Sequence, residues 1–76
     1  MPRKIRELKR LLERAGFYFI PAKRSHSKWI HPKLAGRIVI AGKDGSDARL
    51  YLEKQVDQAL ENLAKIEAEE SQEEQG

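Results

Sequence analysis

The chain has 76 residues, a net charge of +3, 36% charged residues and no cysteine. That length allows one small domain with a marginal core, the missing cysteines exclude disulfides and cysteine-ligated zinc, and no apolar run nears the roughly 20 residues of a membrane span. The charge is uneven: residues 1–46 carry +9, residues 47–66 carry −1 and residues 67–76 carry −5, so the basic body points to a polyanionic partner, nucleic acid first.

Apolar residues Ile5, Leu8, Leu12 and Ala15 recur with helical spacing and predict an amphipathic helix over about residues 3–15. Pro2 suits its start and Gly16 the left-handed position that ends it. Arg3, Lys4 and Arg6 crowd the first turn, where the helix dipole prefers negative charge, so these cations face either solvent or phosphate. Phe17–Ile20 is aromatic and β-branched and predicts a strand, which Pro21 closes or confines to a sheet edge. Lys23-Arg24 forms a basic turn, a second strand covers about 26–31, residues 32–36 form a hairpin-length loop, and Arg37–Ala41 is a third strand. Residues 42–46 read as a turn, with Ser46 or Asp47 placed to cap a second helix over about 48–66. Its apolar stripe is Leu52, Val56, Ala59, Leu60 and Leu63.

The expected organisation is one domain over residues 1–66 and a disordered acidic tail over 67–76, which has no apolar period. The fold class is α+β, ordered α-β-β-β-α, with a three-stranded antiparallel sheet carrying both helices on one face and leaving the other open. A cytoplasmic, non-membrane protein is expected, since the N-terminus lacks the apolar stretch of a signal peptide.

Residues 23–32 concentrate both histidines, the single tryptophan and three cations. Strand alternation puts His26, Lys28 and Ile30 on one face and Trp29 and His31 on the other. Tryptophan belongs in the core, so His26 and Lys28 point to the open face, with Arg37 and Val39 beside them from the third strand. An imidazole exchanges protons near neutral pH. RNA offers a reaction that needs such a group, because a ribose 2′-OH attacks the adjacent phosphorus once a base removes its proton. Lys23, Arg24 and Lys28 are the cations nearest His26, and Ser25 is placed to orient the histidine or donate to a phosphate oxygen. Arg37 completes the expected RNA-binding set. The competing reading makes His26 an ordinary surface residue and the chain a non-catalytic double-stranded-RNA-binding module, or a docking module for an acidic protein. A paired-histidine site is disfavoured because the odd spacing puts the rings on opposite faces. Two histidines five apart on a strand do not converge on a metal, so no metal site and no cofactor is expected.

Lys23-Arg24-Ser25-His26 followed by Trp29-Ile30-His31-Pro32 resembles the central signature of the HicA family, small toxins of bacterial toxin–antitoxin pairs. The flanks agree: Leu11-Leu12-Glu13-Arg14-Ala15-Gly16-Phe17 is similar to the family's helix end and first strand, and Gly36-Arg37-Ile38-Val39-Ile40 to its third strand. Gly42-Lys43-Asp44-Gly45 with Glu53-Lys54-Gln55-Val56 resembles one branch of the family at its last helix. The resemblance, over about residues 3–65, implies a double-stranded-RNA-binding-like domain and metal-independent cleavage of mRNA without a need for the ribosome. It also implies His26 as the catalytic residue and a HicB-type antitoxin as partner. Arg24 departs from the family pattern, which has glycine before Ser-His. If that glycine supplies a positive φ, arginine strains the turn; if it only clears space for the RNA, arginine either adds a phosphate contact or blocks the site.

Overall fold

The computed structural model describes residues 2–24 and 26–75, with side chains through Ser71. The order is α1 (Ile5–Arg14), β1 (Tyr18–Pro21), β2 (Ser27–Ile30), β3 (Ile38–Ile40) and α2 (Leu50–Gln75). The strands form an antiparallel sheet in the order β1-β2-β3, with Phe19 opposite Trp29 and Trp29 opposite Ile38. This is the α-β-β-β-α fold that the hydrophobic periods predict.

The stripe of α1 buries Ile5, Leu8 and Leu12. They meet Trp29, Ile38 and Ile40 from the sheet and Leu52, Val56 and Leu63 from α2 in a single core. Leu8, Leu12, Ile40 and Val56 are fully enclosed, and truncating a leucine at such a place to alanine costs about 2–5 kcal/mol.

Helix α1 has no side-chain cap at its start. Its first free N–H groups are met by the loop before α2: Ile5 donates to the Ser46 carbonyl (2.9 Å) and Arg6 to that of Asp44 (3.1 Å), while Ala48 donates back to the Arg3 carbonyl (2.8 Å). The cations crowding this turn are largely absorbed by carboxylates rather than left for phosphate. Arg3 binds Glu53 and forks onto both Asp57 oxygens, all at 2.9 Å, and Lys4 pairs with Asp47. The Arg3 guanidinium holds the Glu53 carboxyl below its usual range, and Glu53 in turn raises Arg3. Lys9 likewise depresses Asp44. Asp47 is therefore engaged by Lys4 rather than capping α2, which begins three residues later, at Leu50.

Helix α1 ends at Ala15, with Gly16 at φ +98°. His31, reached from the end of β2, accounts for that corner. Its Nε2 lies 3.1 Å from the Ala15 carbonyl, an exposed acceptor of the helix end, and its Nδ1 accepts from the Lys33 N–H at 3.0 Å. The two bonds assign the proton to Nε2. The ring also packs edge-on to Phe17, centroids 5.0 Å apart. His31 is buried and structural, as its alternation with His26 predicts.

The second helix differs from its expected end. It runs past Ile66 to Gln75, about 18 Å beyond Leu63, the last core residue along it. Apart from Ser71 the extension is built from Glu, Ala and Gln, which are good helix formers. Propagating an established helix needs no new nucleus, and Lys33 steadies it through Glu67 and Glu70. Hydrophobic periodicity tracks burial, and residues 67–71 are helical while exposed.

Candidate RNA-cleaving site

On the sheet face away from the helices, Ile20, Lys28 and Val39 form one row and Tyr18 and Ile30 another. Tyr18, Ile20 and Val39 are 41–51% exposed. The face is therefore an apolar platform with one cation, Lys28, at its centre.

At one end of this platform the β1–β2 hairpin closes. Ala22 donates to the His26 carbonyl at 3.0 Å, and the His26 N–H reaches the Lys23 carbonyl at 3.3 Å. The same Lys23 carbonyl lies 3.2 Å from His26 Nδ1. A carbonyl only accepts, so the Nδ1 proton donates to it and Nε2 keeps its lone pair. The ring is exposed. The hairpin thus sets both the position and the tautomer of a proton acceptor.

Arg24 sits in this turn at φ +62°, the one non-glycine residue with positive φ among those described. The backbone reaches the left-handed conformation that glycine adopts freely, and an L-residue pays about 1–2 kcal/mol for it. Arg24 therefore strains the turn without abolishing it.

An open hollow of about 710 Å³ is lined by Pro21, Ala22, Lys23, Arg24, His26, Lys28 and Val39. Four of the expected site residues are thus together. None of the three cations has a carboxylate partner among the described residues, whereas Arg3, Lys4, Lys9, Lys33 and Lys65 all do. Ser25 lies outside the described residues. Arg37 is not brought to the group. Trp29 pairs with Ile38, so Arg37 falls one position further, across from Ile30. That is four residues along β2 from His26, about 13 Å. Arg37 instead borders a separate cavity of about 250 Å³ with Trp29 and His31. Side-chain alternation carries no information on height along the sheet.

The register also exposes neighbours that strand periodicity missed. Ser27 pairs with Ile40 as the last pair of the ladder, so the chain leaves β3 through Ala41, Gly42 and Lys43 at the end of the sheet where His26 precedes β2. The only sequence signal for them was the turn composition of residues 42–46. Trp29 points away from the hollow into the core, where its Nε1 donates to Ser27 Oγ at 2.9 Å. Among the described residues no three His, Cys, Asp or Glu side chains are grouped to hold a metal ion, and no helix is long and apolar enough to cross a membrane.

Fold and hollow together define a small basic α-β-β-β-α domain that presents a tautomer-set histidine among unpaired cations. The family model of the HicA toxin of bacterial toxin–antitoxin systems matches residues 5–65. The chain therefore belongs to the HicA toxin family, the toxin half of such pairs. Neither the curated proteins nor the solved structures yield a significant match.

Proposed function

We propose that this toxin is an endoribonuclease that cleaves mRNA in the cytoplasm, with His26 as general base. Nε2 of His26 removes the proton of a ribose 2′-OH, and O2′ forms a bond to the adjacent phosphorus. The P–O5′ bond breaks, leaving a 2′,3′-cyclic phosphate on one fragment. The departing O5′ takes a proton from the water to which the hollow is open. Lys23, Arg24 and Lys28 bind the phosphate and stabilise the charge that grows on its oxygens. In this scheme Ser25 donates to a phosphate oxygen, and Arg37 binds the RNA strand further along the sheet. The partner that restrains the enzyme is a HicB-type antitoxin.

The observation that carries this reading is the His26 ring with Nδ1 held by the Lys23 carbonyl, beside three cations without carboxylate partners. In this reading Arg24 keeps the turn, because its backbone holds the positive φ that glycine would supply, and adds a cation to the hollow.

The test is incubation of purified protein with RNA in EDTA, wild type against His26→Ala. Wild type is expected to release fragments ending in 2′,3′-cyclic phosphate, and the alanine variant to bind RNA without cutting it. Equal cleavage by the two proteins would remove His26 from the mechanism. Salt-dependent binding with no cleavage by wild type would favour a non-catalytic double-stranded-RNA-binding module.

A further inference from the structure

Beside the His26 hollow, round the end of β3, lies a second hollow of about 370 Å³. This falls in the range of small-ligand pockets, about 300–1,000 Å³. Its floor is apolar, from Ile5, Ala41 and Leu52, and its walls include Asp47, Arg49 and Tyr51. Tyr51 is 66% exposed, as is its neighbour Leu50. The Tyr51 ring stacks on no other ring, and its hydroxyl makes no hydrogen bond to the described chain. Arg49 is exposed and has no carboxylate partner among the described residues. An exposed aromatic with nothing to pack against, next to an unpaired cation, serves no evident role in the fold.

We propose that this hollow is a nucleobase subsite, taking an unpaired base of the same RNA strand whose scissile phosphate lies at His26. The inference rests on the ribonuclease reading and extends it to substrate selection. Three observations carry it. Val39, which lines the first hollow, and Ala41, which lines the second, stand two residues apart at the end of β3, so a strand leaving the first hollow reaches the second past Ala41 and Gly42. Gly42 stands at φ +115° beside Ala41, and the place its side chain would fill faces Ile5 Cγ1 at 4.0 Å, so glycine leaves the second hollow open. The chemistry of the walls also suits a base better than a bare phosphate. Tyr51 offers a stacking face, Arg49 reaches the adjoining phosphate, and the Asp47 carboxylate accepts from an exocyclic amino group while Lys4 balances its charge. A bare phosphate would leave the Tyr51 face unused and find no donor in the Asp47 carboxylate, which only accepts. Each base has a π-face, so Tyr51 gives affinity for any unpaired base, and Asp47 favours bases that carry an amino group.

The test uses His26→Ala protein, so that binding is read without turnover, and single-stranded oligoribonucleotides at low salt. Adding Tyr51→Ala is expected to weaken binding roughly 5- to 150-fold, with Tyr51→Phe close to the parent. Scanning one abasic nucleotide along the oligonucleotide is expected to find a position at which Tyr51→Ala has no further effect. Unchanged affinity in Tyr51→Ala, or a loss of equal size at every abasic position, overturns the subsite. So does a Tyr51→Ala protein that binds RNA normally but loses its antitoxin, which would make the surface a protein-docking one. Failure of the ribonuclease reading shows separately, as uncut RNA with wild-type protein.

Discussion

Replacing Arg24 isolates the energy of one backbone torsion. At φ +62° the Cβ of any L-residue crowds the carbonyl that follows, at a cost of about 1–2 kcal/mol. Glycine escapes this but gives the unfolded chain more freedom, which costs about 0.5–1 kcal/mol relative to alanine. At the middle of each range the difference leaves Arg24→Gly more stable than Arg24→Ala by roughly 0.7 kcal/mol. Both variants lose the same charge, so the comparison cancels it. Lys23, whose φ is not positive, supplies the control with the opposite sign: there glycine is less stable than alanine by about 0.5–1 kcal/mol. Urea unfolding followed by the fluorescence of buried Trp29 measures both pairs. In a domain this small the Arg24 difference corresponds to a melting shift of roughly 2–8 °C. If alanine matches or exceeds glycine at position 24, the turn is not left-handed and the account of the family's glycine fails. In cleavage assays Arg24→Gly keeps the hairpin that holds His26 and loses a cation. KM for RNA should therefore rise, and kcat should fall with the lost charge stabilisation at the phosphate.

Gly16→Ala combines a positive φ with a Cβ built 3.2 Å from His31 Nε2. It should destabilise by about 1–3 kcal/mol and loosen the His31 bond to the Ala15 carbonyl, seen as a lower urea midpoint and a shifted His31 ring resonance. The Arg3–Glu53 pair predicts a defined acid response. Folding depresses the Glu53 pKa, so the pair's stabilisation is complete above the ordinary glutamate range. It fades as pH falls through the depressed value, on the acid side of about pH 4. Glu53→Gln should lower stability at neutral pH and flatten the acid limb of a stability–pH profile, and an unchanged acid limb would assign the loss to other carboxylates.

Much of the site was legible from the chain alone because its determinants are local. The alternation of residues 26–31 separates His26 from Trp29 and His31, and the structure keeps that division: Trp29 and His31 are buried and His26 is exposed. The helical stripes likewise name most of the buried core. What escaped sequence reasoning was longer in range. Arg37 was expected beside His26 in the third strand, whereas it stands just before β3, about 13 Å along the sheet from His26. Arg3 and Lys4 looked available to phosphate until the fold brought Glu53, Asp57 and Asp47 to them across more than forty residues.

The basic stretch around His26 and the two-fold and 3.6-fold periods are properties of neighbours along the chain. They determined the element order, the inner and outer faces, and a histidine among cations. Strand register, the pairing of charges between α1 and α2, and the continuation of α2 to Gln75 depend on what the folded chain places side by side. Only the tertiary structure decided that the Lys23 carbonyl holds His26 Nδ1, that Arg24 bears a left-handed turn, and that Tyr51 stands open beside the same end of the sheet. Hydrogen bonds and torsions of that kind are set by closure of the hairpin and docking of the last helix, and a local pattern of residue types does not encode them.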